Sequence, residues 1–297
     1  MAFKKAQRKA AKMRVALAGP SGAGKTLSAL YLAYGVTGDW SKIALIDTEH
    51  GRAQFYAERS DLETGAFLYD ELTPPYSPDR YIQKVREATA AVGSDGVVIV
   101  DSFSHAWDNE GGVLDLKTEL EQTQNKNSFT VWNEAGKIQN HLVNTLLSAD
   151  CHIIVTMRSK MAYAMEQNER GKTVPVKIGL APVQRENTEY EFDIVFNIAR
   201  SHTASTSKDT TFLDSWSGVI TPELGKQLKE WLSGGVEPDR CADCGSLIVA
   251  AQGRSAEQIA EGTMKNYGRK LCWNCMTKEI KKRKEKPADE GTAPVSE

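Results

Sequence analysis

Nowhere in its 297 residues does the chain approach the roughly 20 consecutive apolar residues that a membrane-spanning helix needs. The N-terminus also lacks the apolar core of a signal peptide, so a soluble, cytoplasmic protein without a membrane partner is expected. No single sign of charge dominates. A net charge of −2 excludes a global field that gathers nucleic acid, and any such contact must come from local patches. Internal repeats are absent. Cysteine is scarce, with five in all, and Cys151, alone before an apolar strand, reads as a small buried hydrophobe. What remains is 40% hydrophobic, enough for one large domain or a large domain with a small companion.

Within that background one segment is specific. Residues 19 to 26 read Gly-Pro-Ser-Gly-Ala-Gly-Lys-Thr, between the apolar run Arg14-Val-Ala-Leu-Ala18 and the helical run starting at Leu27. A G-x-x-x-x-G-K-[ST] loop between strand and helix cradles phosphates with inward N–H groups at a helix N-terminus. The nucleotide contacts expected here are Gly19, Ser21, Gly22, Ala23, Gly24, Lys25, Thr26 and Leu27. Lys25 reaches the β- and γ-phosphates, and the Thr26 hydroxyl faces Mg²⁺. ATP and Mg²⁺ are the expected cofactors.

Further strands are predicted at 43–47, 96–101 and 152–157, with helices at 51–60, 78–92 and 130–148. Unbroken apolar strands alternating with helices indicate an α/β fold, a mainly parallel sheet covered on both faces. After residue 160 a hairpin is expected from Met161–Glu166 and Thr173–Ile178. Glu189–Arg200 and Thr210–Leu213 read as antiparallel edge strands, and a last helix follows Pro222. Asp101 ends a buried strand on the sheet of the phosphate loop, where a second Mg²⁺ contact is expected. Glu49 lies just past the second strand, positioned to activate the attacking water, although spacing alone does not distinguish it from a surface carboxylate.

The segment Ile46-Asp47-Thr48-Glu49-His50 with Tyr56 resembles the part of RecA-type recombinases that holds a catalytic glutamate and an adenine-stacking tyrosine. Val97–Ser102 and Ser148–Met157 resemble that family's magnesium-site strand and fourth core strand. The chain is similar to core-only RecA-like ATPases of bacteriophages, described as single-strand annealing recombinases. Phe3-Lys-Lys-Ala6 and the stretch from Thr156-Met-Arg-Ser-Lys160 to Arg185 add to the likeness. The resemblance implies Lys25, Glu49 and Asp101 as catalytic residues and Tyr56 as the adenine contact. It also implies a homo-oligomer, ring or filament, acting on single-stranded DNA in the host cytoplasm, with a single-strand-binding protein as a possible partner. Where the family has a glutamine that senses the γ-phosphate, this chain has Thr156-Met157-Arg158. Methionine cannot hydrogen-bond a phosphate, so sensing falls to Thr156 or Arg158. The family's acidic adenine contact corresponds to Ala53.

By position, the DNA-binding residues are expected to be Arg158, Lys160, Tyr163, Arg170, Lys172 and Lys177: cations for phosphates and an aromatic for bases. The same lysines would equally suit a solvated edge hairpin. Arg158, Lys160 or Arg185 is the candidate for a finger reaching a neighbouring subunit's γ-phosphate. Phe3-x-x-Ala6 resembles the motif by which some such recombinases insert a phenylalanine into the next subunit.

Cys241, Cys244, Cys272 and Cys275 form two C-x-x-C pairs with 27 residues between them. Four soft ligands so paired suit tetrahedral Zn²⁺; an Fe–S cluster is the alternative, and disulfides are disfavoured in a reducing compartment. A module of about 35 residues cannot fold on its own core, so the metal supplies its stability. Lys265, Tyr267, Arg269, Lys270 and Trp273 point to nucleic acid as its partner. The expected organisation is a basic arm at 1–12, a RecA-like ATPase core at 13–233, a linker at 234–240, the zinc module at 241–276 and a disordered charged tail at 277–297. The function that follows is an ATP- and Mg²⁺-dependent, single-stranded-DNA-binding recombinase that promotes annealing or strand pairing, with DNA-stimulated hydrolysis. Two alternatives stand beside it: an annealing module with nucleotide-tuned assembly and negligible turnover, and a small-molecule kinase.

Overall fold

The computed structural model describes residues 5–124, 128–167 and 173–285. Phe3, Arg170 and Lys172 lie outside them, as do residues 286–297. The chain divides into two compact units, residues 11–233 and residues 1–10 with 234–297.

The larger unit is built on β1 (Arg14–Gly19), whose side chains alternate between two cores. Val15 and Leu17 enter one hydrophobic cluster and Ala16 and Ala18 the other, each fully buried. Period-2 alternation with both faces apolar is what a central strand covered by helices requires. The same holds for β2 (Ile43–Asp47) and β4 (Val97–Asp101). On one face α1 (Lys25–Thr37) packs against α6 (Pro222–Ser233) so closely that Gly35 and Gly225 touch backbone to backbone. A Cβ on Gly35 would fall 2.0 Å from the Pro222 carbonyl oxygen. The other face carries α2 (Pro78–Val92) and α5 (Ser128–Ser148).

The sheet order is β3-β2-β4-β5-β1-β7-β8-β9, where β3 is Leu68–Glu71, β5 His152–Gln167, β7 Ile194–Ile198, β8 Ala204–Asp209 and β9 Ser217–Gly218. From β3 to β7 every pairing is parallel; β7–β8 and β8–β9 are antiparallel. This is the mainly parallel RecA-like core with antiparallel edge additions that the sequence predicts. β5 lies between β1 and β4, so the phosphate loop and Asp101 face each other across one strand. β5 then runs on past the sheet into the hairpin with β6 (Thr173–Pro182). The short α3 (His105–Asp108) and α4 (Val113–Gln124) follow β4.

Local predictions fail where a side chain overrides the pattern. The predicted helix at 51–60 is only two 3₁₀ turns, because His50 and Gly51 take positive φ and Asp47 caps the Ala53 N–H. β7 is parallel to β1, not an antiparallel edge, and begins at Ile194 after a 3₁₀ turn at Thr188–Glu191. The strand predicted at 210–213 is a turn held by Asp209, which accepts from the Thr211 and Leu213 N–H groups.

The smaller unit has its own core of Cys241, Ile248, Ile259, Ala260 and Leu271 beneath α7 (Ala256–Tyr267) and α8 (Trp273–Glu285). Ser255 and Gln258 form the capping box that opens α7. The basic arm belongs to this unit: Lys9 bridges Val236 in parallel, with Ala10 and Val236 N–H groups donating to Val236 and Arg8 carbonyls. Residues 278–285 are helical where the sequence predicts the start of a disordered tail. Their lysines and glutamates are good helix formers, and Arg283 pairs with Glu279 one turn back. Among the described residues no helix is long and apolar enough to cross a membrane.

Candidate functional site

At the C-terminal ends of β1, β2, β4 and β5 lies a cavity of about 280 Å³. It is lined by Ser21, Gly22, Gly24, Lys25 and Thr26, by Glu49, Arg52, Phe55 and Tyr56, and by Asp101 and Arg158. Gly22 and Gly24 both have left-handed φ (77° and 86°), which turns successive N–H groups of the loop inward without a Cβ penalty. Lys25 Nζ donates to the Gly19 and Pro20 carbonyls (3.1 and 3.0 Å), curling over the cradle. Burial lowers the Lys25 pKa, opposed by the nearby Asp101 and Glu49 carboxylates.

Thr26 Oγ1 donates to Asp101 Oδ2 (2.6 Å), and Thr156 Oγ1 donates to Asp101 Oδ1 (2.5 Å). Asp101 is buried, and that burial raises its pKa against the two hydroxyl hydrogen bonds. A buried carboxylate and a hydroxyl converging beside a phosphate cradle form the hard-oxygen donor set that Mg²⁺ takes. The residues present therefore fit that ion.

Glu49 is set by its neighbour Asp47, fully buried, whose carboxylate accepts from the Glu49 and Ala53 N–H groups. The glutamate then points into the cavity, where Arg158 Nε donates to its Oε1 at 2.9 Å and Arg52 lies 3.8 Å from Oε2. Burial alone would raise the Glu49 pKa. The Arg158 hydrogen bond and charge, helped by His105 and Lys25, outweigh it and hold the carboxyl below its ordinary range.

Alternation along β5 separates the three residues at the expected sensor position. Thr156 is bonded to Asp101, Met157 is buried in the core, and the Arg158 side chain enters the cavity. Arg158 is thus a cavity residue and is not on the paired part of the hairpin. Lys160 is exposed on β5, while Tyr163 and Lys177 are cross-strand partners in the hairpin register. Arg185 donates to Asn140 Oδ1 (3.0 Å) on α5, outside the cavity. Leu27 continues α1 and does not line the cavity.

Sequence reasoning missed several members. Arg52 and Phe55 line the cavity beside Tyr56, and Phe55 is 72% exposed at its mouth. His202 follows β7 and places Nδ1 3.1 Å from the Ala23 carbonyl, its ring over Gly24. Nothing local marks His202; a contact across 179 positions exists only once β7 pairs with β1. Buried hydroxyls tie the strand ends together. Thr48 Oγ1 meets the Ser102 N–H and His105 Nδ1 (2.9 and 2.7 Å), and Ser104 Oγ accepts from the Arg158 N–H (2.9 Å).

In the smaller unit the four sulfurs of Cys241, Cys244, Cys272 and Cys275 lie within 4.8 Å of one another. Zn–S bonds of about 2.3 Å in a tetrahedron require sulfurs about 3.8 Å apart, and Cys244 and Cys272 are 3.7 Å apart. Hydrogen bonds from Ser246 lower the Cys244 pKa to about 6. The cluster fits a structural zinc.

A family model described as an AAA domain matches residues 11–221. No curated protein matches the chain. Among solved structures, the ATPase domain of a phage replicative helicase is similar at 13% identity and a TM-score of 0.39, over 76% of this chain and 84% of that one.

Proposed function

We propose the following for this chain, which belongs to the AAA domain family: it is an ATPase whose turnover is gated by the γ-phosphate and coupled to single-stranded DNA in annealing or strand pairing. The observation that carries the ATPase reading is the convergence of the phosphate loop, Thr26–Asp101 and Glu49 in one cavity. ATP would lie with its phosphates on the 19–26 loop and its base toward Tyr56 and Phe55. Mg²⁺ held by Thr26 and Asp101 would neutralise charge on the β- and γ-oxygens.

The Arg158–Glu49 ion pair supports a gate. With no γ-phosphate, Arg158 neutralises Glu49 and holds it as a poor base. A γ-phosphate offers the guanidinium a more highly charged partner. As Arg158 moves to it, Glu49 is freed to orient and deprotonate the attacking water, while Lys25 leaves the Gly19 and Pro20 carbonyls for the same phosphate. The same pair also suits a second reading, in which nucleotide tunes assembly and turnover is slow, because the base is restrained until Arg158 leaves.

Nucleic-acid dependence, homo-oligomerisation and a phage origin rest on the sequence resemblance. The test is ATP hydrolysis with and without single-stranded DNA, with Lys25→Ala as control. DNA-stimulated turnover that the variant loses supports the reading. Hydrolysis indifferent to DNA but accelerated by a small metabolite would replace it with a kinase. Strand pairing unaffected by Glu49→Ala would favour nucleotide-tuned assembly.

A further inference from the structure

The smaller unit is basic although the chain is not. Its described residues hold 13 Lys and Arg against seven Asp and Glu, while the whole chain carries −2. Most of the cations that suggest nucleic acid in the sequence are occupied within the unit. Arg269 is bidentate to Asp243 (2.8 and 3.2 Å) and 3.5 Å from Glu279, and Lys270 pairs with Asp239 at 2.5 Å. Arg283 covers the Tyr267 ring at 4.5 Å, Arg254 lies 5.9 Å from the Trp273 ring, and Lys9 pairs with Glu257. These contacts staple the module, and their aromatic faces are already taken.

Three other cations are available. Lys278, Lys281 and Lys282 on α8 are exposed and make no salt bridge among the described residues; Lys282 only adds its field to Asp243. At i, i+3 and i+4 they share one face of the helix, roughly 5–6 Å apart. The opposite face carries Trp273 and Met276, which pack on the Ile248, Ile259 and Leu271 core. α8 begins directly after Cys272, with Cys275 in its first turn, so the metal cluster anchors the row of lysines.

We propose that α8 is a nucleic-acid contact of this protein, gripping the sugar-phosphate backbone through Lys278, Lys281 and Lys282. Phosphates are the fitting partner because the free groups are compact cations with no free aromatic beside them. Contact is therefore with the backbone, without base stacking, and is sequence-independent. A membrane surface fits poorly, because the helix spends its apolar face on the module core and has little left to insert. The inference takes only the identity of the polyanion from the proposed function and does not depend on the ATP cavity.

The test is the full chain with Lys278→Gln, Lys281→Gln and Lys282→Gln combined, binding a labelled single-stranded oligonucleotide at several salt concentrations. Glutamine keeps helix propensity. The expected result is at least tenfold weaker binding and a log–log salt slope shallower by about 2, from three contacts at ~0.7 each. Zinc content and nucleotide binding stay unchanged, and the corresponding arginine variant binds normally. Each single glutamine variant should shift the slope by about a third as much, which keeps the test valid if the triple variant loses zinc. An unchanged affinity and slope overturns the proposal; if Lys160→Gln then weakens binding, the hairpin alone holds DNA and the functional reading survives. No binding by the unaltered chain overturns both. Lysine-dependent binding to phosphatidylserine vesicles without nucleic-acid binding overturns it in favour of a membrane surface.

Discussion

Glu49 sits under two opposed influences, burial that disfavours its charge and an arginine that favours it, and the arginine wins. Arg158→Ala leaves burial with only the weaker help of His105 and Lys25, so the carboxyl pKa must rise. If Glu49 is the base, the acidic limb of the kcat/KM profile moves to higher pH, because the base works only when deprotonated. An unmoved limb would show that another group titrates there. Glu49→Gln should lower kcat by about 10²–10⁴-fold with little change in nucleotide affinity. Asp101 is shifted the other way. A carboxyl raised by burial loses stability as pH rises through its folded pKa, so at neutral pH its charge costs the empty protein stability. Asp101→Asn should therefore keep or raise Tm without ligand while losing Mg²⁺-dependent stabilisation by ATP. A lower Tm would mean that the Thr26 and Thr156 hydrogen bonds outweigh the desolvation.

At the scale of elements, the phosphate-loop helix depends on a glycine contact. α1 and α6 approach through Gly35 and Gly225, and a methyl at Gly35 meets the Pro222 carbonyl and the Gly225 Cα. Neither neighbour is a flexible side chain, so the helices must separate. Gly35→Ala is expected to cost about 1–3 kcal/mol or more, roughly 2–4 °C in Tm for each kcal/mol in a unit of this size. Because α1 carries Lys25 and Thr26, nucleotide affinity should fall with Tm. A calorimetric Tm equal to the parent's would show that α6 yields freely. β5 joins two environments within one strand, core alternation up to Met157 and a hairpin beyond Arg158, so the change of surroundings falls at the nucleotide cavity.

For the whole molecule, two units with separate cores and separate chemistry should melt separately. Removing zinc with a chelator is expected to abolish the ordered state of the four-cysteine unit, because its small core of buried residues cannot replace the metal–sulfur bonds. ATP stabilisation of residues 11–233 should persist, since every lining residue of the cavity lies in that unit. Two calorimetric transitions, of which only one is chelator-sensitive, are the expected outcome; a single transition lost on chelation would show that the units fold as one. The N-terminal arm should become protease-sensitive together with the cysteine unit, because residues 8–10 are hydrogen-bonded to Val236.

The phosphate loop, the parallel apolar strands, the magnesium-site aspartate and the two cysteine pairs were legible in the sequence. Each is a local pattern: fixed spacing, unbroken apolarity or a pair of identical ligands. The capping box of α7 was legible for the same reason. What the sequence could not decide was which distant groups meet. Arg158 reads as a hairpin cation until the alternation of β5 turns it toward Glu49, and His202 acquires a role only when β7 lies parallel to β1. The cations of the cysteine unit all looked alike in the sequence. Which of them are held in ion pairs and which stay free follows from the packing of α7 and α8, because an ion pair requires proximity in space.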